Sequence, residues 1–267
     1  MTATVRALID EQAAARPRAT YAVAVDGEAR LTYADLASGS PRVSAWLQAH
    51  GCGPGATVAL VMPNGLGTLR LLLGALWSGR CVTPVNLLAQ AEQMRYVLEH
   101  SDCALVVVAP AWEARVRDLL ARIPRPVACV VADPAAVTLP REHEHEHEHE
   151  HEHLNENVDE QAGTREFEFP RGDVPPAPRA DAIALLMYTS GTTGAPKGVM
   201  LTQANLASNA RAIVREHGLT AADRVFGVLP LYHINAFAVT MLAPLASGGS
   251  VALAGRFSAG AFWQQAL

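Results

Sequence analysis

Apolar residues recur at helical spacing at the start of the chain, where Val5, Leu8, Ile9 and Ala13 predict an amphipathic helix ending near Pro17. Two β-leaning runs, Tyr21 to Val25 and Ala29 to Thr32, flank Asp26-Gly27 and predict a hairpin. Thr32 stands three residues before Asp35, an N-cap pattern that opens a helix at Tyr33. Gly39, Ser40 and Pro41 predict a break inside that helix. Short apolar runs then alternate with helical patterns. Strands are expected at Val58 to Met62, Cys81 to Val85, Ala104 to Ala109 and Val127 to Val131. Helices are expected at Leu66 to Ser78, with Asn64 as its cap, and at Ala91 to His100 and Trp112 to Arg122. Nearly continuous apolar strands belong to parallel sheets covered on both faces, so the fold class is α/β: a doubly wound, mostly parallel sheet with helices on both faces. Glycine-rich Gly51 to Gly55 follows a helix and precedes a strand, the wrong order for a dinucleotide turn, and reads as a connection.

The pattern changes after residue 140. Glu142 to His153 is six Glu-His repeats, and a polar stretch with Pro170, Pro175, Pro176 and Pro178 follows. Alternating imidazoles and carboxylates could collect divalent metal, but a simple repeat offers many equivalent weak sites and no fixed geometry, and a low-complexity loop is the preferred reading. Arg171-Gly172-Asp173 resembles an adhesion tripeptide, which three residues reproduce by chance. The expected organisation is a first α/β subdomain at 1–140, a low-complexity Glu-His and proline-rich linker at 141–180, and a glycine-loop segment with an incomplete second subdomain at 181–267.

Candidate chemistry is concentrated in that last segment. The apolar run Ile183 to Tyr188 leads into Thr189-Ser190-Gly191-Thr192-Thr193-Gly194-Ala195-Pro196-Lys197-Gly198, and a second apolar run follows. Glycines permit close backbone approach, the hydroxyls add hydrogen-bond donors, and Lys197 brings a mobile charge, so the loop can wrap a polyanion. The plainer alternative is a surface hairpin that binds nothing. Walker A spacing is not met, because Pro196 stands fifth after Gly191 and Gly198 follows the lysine; GxGxxG is absent as well. Downstream, Thr202 is expected to cap a helix from Gln203 to His217, and Ala236 to Ser247 reads as a helix before the strand Ser250 to Ala254.

Thr189 to Gly198 closely resembles the phosphate-loop signature of the adenylate-forming superfamily, and Leu229-Pro230-Leu231-Tyr232-His233-Ile234-Asn235 is similar to the next motif of its acyl- and aryl-CoA ligase branch. The resemblance runs from near residue 1 to Leu267 and implies the N-terminal portion of an AMP-forming ligase. The implied reaction activates a carboxylic acid with ATP to an acyl adenylate, then forms a thioester with coenzyme A. It also implies that Thr189, Ser190, Gly191, Thr192, Thr193, Gly194 and Lys197 bind ATP phosphates, that Thr189 helps position Mg²⁺, and that Lys197 and His233 are catalytic, His233 beside the reacting carboxylate. An amino-acid-activating relative would place an aspartate near His233, so a non-amino acid is expected. The family's remaining nucleotide-binding residues and its lysine-bearing C-terminal domain are expected beyond Leu267, so the piece alone is expected to be inactive, and to self-associate through an exposed strand edge. A non-catalytic protein of the same fold, binding a nucleotide or a partner, is the alternative from a different class.

Composition adds exclusions. Net charge is −5, and no basic stripe points to a nucleic acid. The uncharged stretch Val225 to Gly255 is broken by prolines, His233, Asn235 and a glycine pair, so no membrane span is expected. Cys52, Cys81, Cys103 and Cys129 form no CxxC pair and read as buried free thiols; with no signal peptide in view, a cytoplasmic location is expected.

Overall fold

The computed structural model describes residues 4–136, 174–189 and 196–266. The Glu-His tract, the Arg-Gly-Asp triplet and Ser190, Gly191, Thr192, Thr193 and Gly194 of the glycine loop lie outside them. In chain order, α1 (Val5–Ala15) precedes β1 (Thr20–Ala24) and β2 (Arg30–Thr32), then α2 (Tyr33–Ala49), β3 (Thr57–Val61), α3 (Leu66–Trp77), β4 (Cys81–Pro84), α4 (Ala91–His100), β5 (Leu105–Val108), α5 (Glu113–Leu120) and β6 (Ala128–Val131). After the linker come β7 (Ile183–Thr189), β8 (Lys197–Thr202), α6 (Gln203–His217), β9 (Arg224–Gly227), a π-helix (Ala236–Leu242), α7 (Ala243–Ser247), β10 (Ser250–Leu253) and α8 (Phe262–Ala266).

The strands form two sheets. One has six strands in the order β6-β5-β3-β4-β7-β8, parallel except for the edge strand β8, which runs antiparallel to β7. The other has four, ordered β2-β1-β10-β9, with β1, β10 and β9 mutually parallel. This is the α/β class the alternation predicts. The sheets cross-cut the expected division between 1–140 and 181–267, since β7 and β8 extend the first sheet and β10 pairs with β1 in the second. Two apolar clusters account for the layering. The larger holds Leu8, Trp46, Leu72, Leu206 and Phe237 from α1, α2, α3, α6 and the π-helix, together with strand residues of both sheets. The smaller packs α4 and α5, through Met94, Leu98, Val116 and Leu119, on Ala59, Val106 and Val108 of the six-stranded sheet. Parallel strands flanked on both faces must be apolar throughout, and all four residues of β5 are buried.

Three local expectations are corrected. First, α2 runs unbroken through Pro41. Its capping box between Thr32 and Asp35 fixes the start, and close packing on α3 holds the middle: a Cβ on Gly39 would fall 2.7 Å from an Arg70 guanidinium nitrogen, and one on Gly74 2.5 Å from Val43 Cβ. Tertiary contact here outweighs the hydrogen bond that proline forfeits. Second, Asn64 does not cap α3. Gly65 occupies that position, and the Gly67 and Thr68 amides donate to the Pro134 carbonyl instead. Third, the helix expected over Ala236 to Ser247 opens as seven residues of π-helix before its last turns become α. Of the four thiols, Cys52, Cys81 and Cys103 are buried and Cys129 is half-buried.

Candidate active site

The two described ends of the glycine loop meet in register. Strand β7 ends at Thr189 and β8 begins at Lys197, and these two are cross-strand partners. Both are exposed. Pro196 confines φ just ahead of Lys197. Gly198 has a steric role beyond backbone freedom: opposite Tyr188, a Cβ there would lie 2.9 Å from Leu186 Cδ1 and 3.4 Å from the Tyr188 ring, so only glycine lets both side chains lie across β8.

Strands β4 and β7 are neighbours, and their carboxyl ends open on one cavity of about 320 Å³. Ligands of open parallel sheets bind outside such ends. Its lining comprises Asn86, Met187, Tyr188, Thr189, Val199, Leu201, Tyr232, His233 and Ile234. The structure therefore brings Thr189 and His233 to one cavity, with Lys197 paired to Thr189 but outside the lining.

His233 reaches the cavity on a turn between β9 and the π-helix. Its amide donates to the Pro230 carbonyl (3.0 Å) and its own carbonyl accepts from Phe237 N (3.0 Å), which ties the turn to the helix. The imidazole is exposed, with its centroid 4.8 Å from that of the Tyr232 ring, and makes no hydrogen bond to a described residue. Burial pushes the Tyr232 phenol above its ordinary pKa, so it stays protonated. Tyr188 is fixed from the opposite face. Its hydroxyl is 2.8 Å from His100 Nδ1, Tyr96 stacks on that imidazole with centroids 5.1 Å apart, and burial raises the Tyr188 phenol well above its ordinary value. The residue preceding Thr189 is thus anchored on α4.

Sequence reasoning did not assign Asn86, Tyr188 or Tyr232 to the site. Asn86 was legible in principle, because it stands two residues past the end of β4 and the carboxyl ends of a doubly wound sheet are where ligands bind. Its Oδ1 accepts from Leu88 N, shaping the turn that leaves the strand. The described residues contain no cluster of three or more His, Cys, Asp or Glu that could hold a metal ion.

The structure thus places a hydroxyl and an imidazole in one cavity at the carboxyl edge of a mostly parallel α/β sheet, where sheets of this kind bind ligands. The chain belongs to the AMP-binding enzyme family, whose profile matches residues 9–267. Among curated proteins it is 44% identical over 261 residues to the sulfoacetate–CoA ligase of Cupriavidus necator, covering 98% of this chain and 47% of the relative. It is 30% identical over 245 residues to the oxalate–CoA ligase of Arabidopsis thaliana, covering 91% and 44%. The chain thus spans about half the length of the curated relatives it matches. Among solved structures, ATP-bound MatB from Rhodopseudomonas palustris superposes with a TM-score of 0.78 at 22% identity, over 99% of this chain and 47% of that one, which establishes the shared fold. No helix among the described residues is long and apolar enough to cross a membrane.

Proposed function

We propose that this chain is the N-terminal portion of an AMP-forming carboxylic acid–CoA ligase. The observation that carries the reading is the single cavity lined by both Thr189, at the root of the glycine loop, and His233. In the first step a carboxylate oxygen attacks the α-phosphorus of ATP, the bond to the β-phosphate breaks, and pyrophosphate leaves. Thr189, Ser190, Thr192 and Thr193 supply hydroxyl donors, Gly191 and Gly194 let backbone amides approach, and Lys197 offsets the charge that builds on the departing group. His233 orients the incoming carboxylate. In the second step the thiol of coenzyme A attacks the acyl carbon and AMP departs. Thr189 Oγ1 would help hold the Mg²⁺ that accompanies ATP, and the ion would neutralise phosphate charge. The free thiols fit a reducing, cytoplasmic setting.

Resemblance to the sulfoacetate and oxalate ligases makes a short, doubly anionic acid the first substrate to test. The assay is acid-dependent exchange of labelled pyrophosphate into ATP by the complete gene product, across sulfoacetate, oxalate, malonate, ferulate and fatty acids. Exchange is expected with a short acid, falling by about 10²-fold in Lys197→Ala. His233→Ala is expected to raise the acid's KM more than that of ATP. Absence of exchange with every acid would overturn the ligase reading and favour a non-catalytic nucleotide- or partner-binding protein.

A further inference from the structure

The two halves of the cavity stand on different sheets. Thr189, Tyr188 and Asn86 belong to the six-stranded sheet, whereas the His233 turn follows β9 of the four-stranded one. Something must fix the distance between them, and one side chain spans it. Asn64, in the turn between β3 and α3, is 8% exposed. Its Nδ2 donates to the Leu229 carbonyl (3.0 Å) and the Ala254 carbonyl (3.2 Å), and its Oδ1 accepts from Leu231 N (2.9 Å). The Leu229 and Leu231 contacts bracket Pro230, whose carbonyl then receives His233 N. One carboxamide therefore grips both sides of the residue that begins the His233 turn, and also the residue that leaves β10.

The turn carrying Asn64 is itself held firmly. Thr68 Oγ1 donates to the Pro63 carbonyl at 2.7 Å, and a Cβ on Gly65 would fall 2.0 Å from the Pro134 carbonyl oxygen, so glycine is required beside Asn64. We infer that Asn64 is a positioning residue for the acid-binding turn, setting His233 against Thr189 across the gap between the two sheets. This rests on the ligase reading for its catalytic meaning. No other side chain of that size serves: aspartate would still accept from Leu231 N but would set a carboxylate against two carbonyl oxygens, and alanine leaves all three backbone groups unpaired.

Asn64→Ala and Asn64→Asp test the inference beside Gln203→Ala. Gln203 is likewise a buried amide joining distant segments, Val5 N to the Leu76 carbonyl, and it is not among the residues that line the cavity. All three variants are expected to lose stability. Only the Asn64 variants should speed amide hydrogen exchange through residues 229–235, and at Leu231 itself the effect belongs to Asn64→Ala, which removes the acceptor. Only they should lower kcat/KM for the acid, by roughly 10- to 100-fold, with the KM for ATP held within about twofold. If Asn64→Ala melts earlier yet leaves exchange at Leu231 and the acid's kcat/KM as in Gln203→Ala, the positioning inference is wrong. If the wild-type protein exchanges no pyrophosphate with any acid, the ligase reading falls and the catalytic role of Asn64 falls with it. Amide exchange at Leu231 then decides on its own whether Asn64 holds the turn.

Discussion

Gly227 is the last residue of β9, one step before the segment that leads to His233, and its backbone faces the π-helix that follows. A methyl group placed there would lie 2.4 Å from Thr240 Cγ2, 3.2 Å from Leu253 Cδ1 and 3.3 Å from Val251 Cγ2. Ordinary carbon contacts begin at about 3.5 Å, so Gly227→Ala must push Thr240 away by roughly 1 Å or tilt the π-helix. Thr240 is buried and its neighbours on the helix are packed, so overpacking should cost about 1–3 kcal/mol. The remedy is specific. Thr240→Ser deletes only Cγ2 and alone costs about 1 kcal/mol for the lost buried methyl. Combined with Gly227→Ala it moves one methyl from one side of the contact to the other, so the double variant should recover most of the loss. Urea denaturation of the four proteins gives the coupling energy, expected at about 1–3 kcal/mol. Because β9 and the π-helix flank the His233 turn, Gly227→Ala should also raise the acid's KM, and the double variant should restore it. Strict additivity of the two substitutions would refute the reasoning.

Two further predictions follow from buried groups. Burial raises the Cys81 thiol from an ordinary value of 9.0 to about 11. The folded state thus favours the protonated thiol; this stabilisation is complete below pH 9 and is lost as pH rises through 11. Between pH 8 and 10.5, Cys81→Ala should lose about 2 kcal/mol less stability than the parent by urea titration, and equal losses would contradict the assignment. Arg80 is completely buried, and its guanidinium donates to the Cys52 carbonyl (2.9 Å), the Ser44 carbonyl (3.0 Å) and Ser44 Oγ (2.8 Å). Arg80→Met keeps the bulk but strands those acceptors, and should destabilise by about 3 kcal/mol in the same assay; a change below about 1 kcal/mol would mean that the acceptors find other donors.

Element types were legible because each strand and helix carries its own period. The hairpin at Asp26-Gly27, the alternation from β3 to β6 and the Thr32 and Thr202 caps all depend on residues within a few positions of one another. Features decided by distant chain were not. Asn64 looks locally like a helix cap, but its carbonyl partners lie 165 and 190 residues away. Pro41 breaks a helix by local rule, and only the packing of α2 on α3 explains why this one continues. Thr189 and His233 were singled out by their motifs and both line the cavity, whereas Lys197, singled out with them, is paired to Thr189 outside the lining. Tyr188 was hidden because its anchoring depends on His100, which no nearby residue announces. The domain division could not be drawn from an order of elements, since order does not say which strands pair.

That pairing bears on how the protein is made. In the four-stranded sheet β1 lies between β2 and β10, with Ala22 paired to Val251. A ribosome adding 5–20 residues per second needs roughly 10–50 s to travel from one partner to the other. Throughout that interval the amino-terminal hairpin has one open flank, and Tyr21, whose hydroxyl finally donates to the Met241 carbonyl, has no acceptor there yet. The six-stranded sheet can assemble its β3 to β6 portion early, from contacts close in sequence. The four-stranded sheet has to await nearly the whole segment. Nascent chains stalled between β6 and β10 should therefore protect the first sheet from protease while leaving the hairpin cleavable, and they are the species most in need of a chaperone.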